Sequence, residues 1–240
     1  MPVPCTLKES RMIKAGIDQD ALATLFSQAG ARQGEVVRKA VFEATLKALQ
    51  GRELTLENIR RVLKSATLAS SMGAASNQGS QEEVEALLAK AIAGMDAALL
   101  KAVQANRTAL QQFMDLGVGL QDEHMKTALA NLARLEEVFI AAVGKVAEVA
   151  AAPLQAPWHH VIDHMKDHGT SSGLQATQVV AQLMEKSHIA LRSGRAASVR
   201  AAQSMMESYA SLVSGVLLGM SEGMGNAASG GKTEKRATRK

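Results

Sequence analysis

Aromatic side chains are nearly missing from this sequence, which holds one Trp, one Tyr and four Phe among 240 residues. Rings supply much of the buried apolar area in compact cores. Their scarcity disfavours a sheet with a jigsaw core and leaves small or flexible side chains to fill the interior. Cysteine is represented by Cys5 alone, which excludes a disulfide framework within one chain and fits a cytosolic setting. Cys5 itself reads as an idle surface thiol rather than a redox centre. Long apolar runs are lacking as well. The stretch from Leu212 to Met220 is interrupted by Ser214, Gly215 and Gly219, far short of the roughly 20 residues that span a bilayer. Met1 to Ser10 carries two prolines and no apolar segment of a secretory signal. Neither G-x-x-x-x-G-K-[ST], nor G-x-S-x-G, nor a Rossmann glycine fingerprint occurs, so no motif calls for an enzyme or a cofactor.

An excess of one charge is missing from the body of the chain. The net charge of +4 arises at the C-terminus, where Lys232, Lys235, Arg236, Arg239 and Lys240 stand against Glu234. Without that segment 22 basic and 22 acidic residues remain, so no basic groove for nucleic acid is indicated across the body. The tail is predicted to be disordered and to make weak, unspecific contact with nucleic acid or an anionic surface.

What the sequence does have is helix formers. Roughly one residue in six is Ala, and Leu, Lys, Glu, Gln, Arg and Met supply much of the remainder. These residues lose little rotamer freedom in a helix. The expected fold is all-α: long amphipathic helices in an antiparallel bundle, preceded by an N-terminal helical hairpin. Residues 1–34 read as a partly ordered entry with a short helix from Asp18 to Ala29. Residues 35–79 read as the hairpin and a linker. Its first helix puts Val36, Val37, Ala40, Val41, Ala44 and Ala48 on one face. Thr55 caps a second, which dissolves into the small polar run from Ser70 to Ser80.

Residues 80–222 read as the long-helix bundle. Ser80 and Glu83 form a capping box and open a helix whose apolar stripe continues from Leu87 to Met114. Gly117 and Gly119 predict a turn. A single helix is then expected from Asp122 to Ala152, with Leu135 and Val149 in its stripe, ended by Pro153 and Pro157. Trp158 to His168 can form a short helix, and the last long one runs from about Leu174 to Met220. Residues 223–240 complete the chain as the basic tail.

Two clusters are candidate sites. His160, His164 and His168 are spaced by four, which places them along one helix face, with His159, Asp163 and Asp167 beside them and His124 able to approach from a neighbouring helix. Imidazole and carboxylate at such spacing can bind zinc or another transition metal. The reading stops there: His160 is followed by Val161 rather than the Glu of a metalloprotease, and the paired Glu-x-x-His motifs of a diiron bundle are absent. Ordinary surface histidines are the alternative. The second cluster is a small-residue stripe through Ala201, Ser208, Gly215 and Gly219, which lets another backbone come close. It suits either packing within the chain or self-association into a homo-oligomer. The twelve Met residues suit core gap-filling or adaptable contact with apolar surfaces.

The Ala-rich, Gln-containing amphipathic stretches Glu82 to Leu116 and Asp122 to Ala152, with few aromatics and a Lys/Arg/Thr/Ala tail, resemble the phasins. These are bacterial proteins that coat polyhydroxyalkanoate storage granules, and some carry basic C-terminal tails associated with nucleoid contact. Lys232 to Lys240 is similar to a short version of such a tail. The resemblance implies a non-catalytic, oligomerising, cytoplasmic protein that coats or scaffolds a hydrophobic granule surface. Pro153, Pro157, Trp158 and the His cluster depart from that texture. A helical bundle that binds a metal through the His cluster, or a protein-interaction adaptor, are the other readings open to the sequence.

Overall fold

A computed structural model describes residues 13–50, 54–116, 118, 122–192 and 213–220. Cys5 and Lys232 to Lys240 lie outside the described residues, as do Ala201 and Ser208 of the small-residue stripe. The chain enters through a minimal antiparallel ribbon of β1 (Ile13–Lys14) and β2 (Ile17–Asp18). Ala15 and Gly16 link the strands, both with positive φ (51° and 81°), the backbone twist that tight hairpins need. Everything after it is helical: α1 (Gln19–Gln28), a 3-10 turn (Ala31–Gln33), α2 (Gly34–Gln50), α3 (Leu56–Ala75), α4 (Gln81–Asp115), α5 (Glu123–Ala133), α6 (Leu135–Ala147), α7 (Ala152–His168) and α8 (Ser171–Arg192). Residues 213–220 add a further helical stretch. The fold is an all-α bundle.

Side chains at the helix starts explain several boundaries. Asp18 accepts from the Ala21 N–H, Thr55 from the Asn58 N–H, and Asp122 from the His124 and Met125 N–H groups. Each satisfies a donor that the first turn leaves without a partner. The capping box is formed in full, with Glu83 N–H on Ser80 Oγ at 3.3 Å and Ser80 N–H on Glu83 Oε2 at 3.0 Å. It launches α4, which at 1.5 Å per residue is about 50 Å long.

Helix α4 is the axis of the bundle. Val84, Leu88, Met95, Leu99, Val103, Leu110 and Phe113 on it are buried, and α2, α3, α7 and α8 all pack against it. Helix α2 lies along α4 rather than chiefly against its sequence neighbour α3, which packs instead on α1 and α6. Glu35 meets Lys90, while Arg38 to Phe42 cross Gly94, so α2 and α4 run in the same sense with α3 returning between them. The buried residues form one continuous cluster from Ile17 to Leu217, across the boundary expected near residue 79.

Four differences from the sequence reading have local causes. First, the first half of the small polar run is helix: α3 continues to Ala75, and only Ser76 to Ser80 link it to α4. Ser70 Oγ donates to the Ala66 carbonyl at 3.0 Å, and Gly73 faces α1, where an added Cβ would lie 2.5 Å from Phe26 Cβ. Small residues serve close helix packing there. Second, the helix expected from Asp122 to Ala152 is broken at Arg134 into α5 and α6. Both halves touch α8, but α6 alone also packs on α3 and α7. Third, Pro153 opens α7 instead of ending its predecessor. In the first turn its missing N–H is no loss. Pro157 lies inside α7, where it removes a hydrogen bond. Fourth, Val36 and Val149 leave the stripes assigned to them and are 55% and 77% exposed.

One ion pair fastens α2 to α4 from outside. The Glu35 carboxylate accepts from Lys90 Nζ at 2.6 Å and from Arg38 Nε at 2.7 Å. The Lys90 hydrogen bond, then that of Arg38, hold its pKa down from 4.5 to about 2. A depressed carboxylate contributes stability above its unfolded pKa and loses it as pH falls through the folded value. Glu35 therefore supports the α2–α4 contact above about pH 4.5 and ceases to do so near pH 2. In an NMR titration its carboxyl is expected to protonate near pH 2, and Lys90→Met to move the midpoint upward. A wild-type midpoint at 4.5 would remove this fastening from the account.

Candidate functional site

The histidines on α7 point outward because the apolar residues claim the other face. Leu154, Trp158, Val161, Ile162 and Met165 recur at spacings of three and four and are buried. The positions left over are His159, His160, Asp163, His164, Asp167 and His168, all exposed. His160 Nδ1 lies 3.0 Å from Glu85 Oε2 on α4. His164 and His168 stack with ring centroids 4.2 Å apart, and His168 Nδ1 lies 3.1 Å from the His164 carbonyl oxygen. The three predicted ligands thus share an edge of α7, but His160 takes Glu85 while His164 and His168 pair with each other. His124 sits in the first turn of α5, its N–H on Asp122. Among the described residues, no group of three His, Cys, Asp or Glu side chains is placed to hold a metal ion.

Beside this row runs an open groove of about 370 Å³ between α4 and α7. Its apolar floor comes from Ala89, Ile92, Ala93, Val161 and Met165, and Glu85, His160 and His164 form its rim. Asp96 closes one end, and its carboxylate is committed to structure. Oδ2 accepts from Ser171 N–H at 2.9 Å and Oδ1 from Ser172 N–H at 3.0 Å. Glu136 of α6 completes the lock, its Oε1 accepting from Thr170 N–H at 2.7 Å and from Thr170 Oγ1 at 3.0 Å. Thr170 Oγ1 in turn accepts from Gly173 N–H. Two carboxylates from two helices so satisfy the free donors at the start of α8, where the helix dipole favours negative charge. Nothing in the local sequence of α8 signals this arrangement, since both acids lie at least 34 residues away. Asp96→Ala is expected to cost about 1 kcal/mol. Hydrogen exchange should show faster exchange at Ser171 and Ser172 with α4 unaffected.

A second groove, of about 480 Å³, lies where Ala74, Asn77, Gly79 and Val84 face Pro153, Leu154 and Pro157. Its main polar side chain is already spent: Asn77 Nδ2 donates to the Phe26 and Ala29 carbonyls and Oδ1 accepts from Gly79 N–H. Of the small-residue stripe, Gly215 and Gly219 lie on the open side of the stretch 213–220, with nothing within 4 Å of an added Cβ. Neither groove brings a nucleophile and a base together, and the arrangement is one of helix faces.

A family model matches residues 12–226, from the β-ribbon to beyond the stretch 213–220. The chain belongs to DUF6781, a family of unknown function. The DUF6781 match takes in the bundle, the α7 histidines and the whole small-residue stripe. It stops short of Lys232 to Lys240, so the basic tail is not part of what defines the family. No curated protein and no solved structure matches the chain. Among the described residues no helix is long and apolar enough to cross a membrane.

Proposed function

We propose that this DUF6781 protein is a non-catalytic, self-associating, cytoplasmic helical protein that coats or scaffolds an apolar surface, as phasins coat polyhydroxyalkanoate granules. The observation that carries the reading is α4. Its buried face runs from Val84 to Phe113 with Asn106 as its one polar side chain, and much of its cover is Ala, Leu, Val and Met. Such a stripe packs inside a bundle in free solution. Laid on a particle, it would bury the same side chains against the apolar phase, as interfacial helices do. Neither state needs a partner with a defined pocket.

Cosedimentation of the purified protein with polyhydroxyalkanoate particles and, in parallel, neutral lipid droplets tests this, with and without residues 222–240. Binding that survives removal of the tail is expected, because the helices provide the apolar contact. Absence from both pellets would leave a scaffold or adaptor as the better account. Binding lost with the tail, or abolished by moderate salt, would assign it to electrostatics.

A further inference from the structure

Helix α7 ends in a pair of imidazoles. His168 is its last residue, and Gly169, at φ 71°, turns the chain away. The His164 and His168 rings stack one turn apart, with centroids at 4.2 Å and planes 18° from parallel. Both are exposed. His168 Nδ1 lies 3.1 Å from the His164 carbonyl oxygen, one of the last four carbonyls of the helix, which find no partner within it. A carbonyl only accepts, so Nδ1 carries the proton in this contact. The neutral ring then has its lone pair on Nε2. Imidazoles that hold metal ions are oriented in this way, one nitrogen on the ion and the other donating to a carbonyl or carboxylate.

We propose that His164 and His168 form a two-imidazole chelate for a divalent transition-metal ion, Zn²⁺ or a neighbour of it, with water in the remaining positions. Side chains four residues apart on a helix face lie one above the other and reach a common point. Neutral imidazole suits Zn²⁺, Cu²⁺ and Ni²⁺, whereas Mg²⁺ and Ca²⁺ take oxygen donors. The place also favours positive charge. The negative end of the α7 dipole lies there, and Asp163 and Asp167 stand on the same exposed side, with Lys166 reaching Asp163 at 3.5 Å. His160 is engaged with Glu85 on α4 and does not join the pair, for among the described residues no three such side chains come together. Two donors and solvent make an open site, unlike the closed four-ligand sites that hold folds together. Bound there, the ion ties the last turn of α7 to itself beside Thr170 and Ser171 at the start of α8. Nothing in this inference depends on the coating role.

Competition between the untagged full-length protein and a chromophoric Zn²⁺ indicator reads the site. Saturable binding of one Zn²⁺ per chain is expected, undisturbed by excess Mg²⁺. A chelate owes its strength to the second donor, so His164→Gln and His168→Gln are each expected to weaken binding roughly a hundredfold. His160→Gln and His124→Gln should leave it unchanged. All four side chains are exposed, so the variants keep the fold, which far-UV circular dichroism checks. With Zn²⁺ bound, hydrogen exchange should slow in the last turn of α7 in the wild type and not in His168→Gln. No saturable binding, or binding that survives both His164→Gln and His168→Gln, would overturn the proposal. An equal loss in His160→Gln would overturn the pairing in favour of the whole row.

Discussion

Gly73→Ala and Gly94→Ala are expected to destabilise the bundle, whereas Gly144→Ala, the same change in α6, should stabilise it. In an exposed helix interior, Ala in place of Gly gains up to about 1 kcal/mol. Gly144 is free to show that gain, for an added Cβ meets nothing within 4 Å. At Gly94 the Cβ would overlap the Arg38 carbonyl oxygen and come within 3.1 Å of Phe42 N and Val41 Cβ. At Gly73 it would overlap the Ala23 carbonyl oxygen and approach Phe26 Cβ to 2.5 Å. Backbone cannot rotate out of the way as a side-chain tip can. The two helices must therefore move apart, and overpacking of this kind costs about 1–3 kcal/mol or more. At these two sites the upper end applies, so the net loss after the propensity gain is about 2 kcal/mol or greater. Denaturant midpoints of the three variants check both signs at once. A stabilised Gly94→Ala would mean that α2 does not lie this close to α4.

These glycines also show where the sequence stopped being legible. Binary pattern and caps were enough for the fold class and for α4, because apolar period and capping box are local signals. The cap at Thr55 is legible on the same grounds. Ser70 and Gly73 carry a linker signal, since small polar residues mark loops as often as close helix crossings. Only the partner helix decides between the two. The break at Arg134 has no Gly or Pro behind it, and goes with the added packing of α6 on α3 and α7. Pro153 signals a stop to the helix before it, and the same chemistry suits it to the first turn of α7.

The candidate site divides in the same way. That three His residues share an edge of α7 follows from their spacing of four. That Glu85 takes His160, and that Asp96 and Glu136 serve the start of α8, are pairings across 34 or more residues. No single-sequence pattern encodes them. Glu85 is taken up by His160, and Asp96 and Glu136 by the start of α8, so these carboxylates join α4, α6, α7 and α8.

Trp158→Ala is expected to cost about 3–5 kcal/mol, the usual range for emptying a buried aromatic site. Trp158 is fully buried, and its Nε1–H lies 3.4 Å from Ser71 Oγ on α3, so it pins α7 to the small-residue end of α3. Trp158→Phe keeps most of the ring volume and should lose less than half as much. As the one Trp in the sequence, it also reports on the coating reading. Its emission in the free protein is expected to be that of an indole shielded from water. If the bundle opens on an apolar particle by lifting α7 from α3, quenching by a soluble quencher or by a brominated lipid should change on binding. Binding with the Trp158 environment unaltered would place the opening elsewhere in the bundle and keep α3 and α7 as one unit.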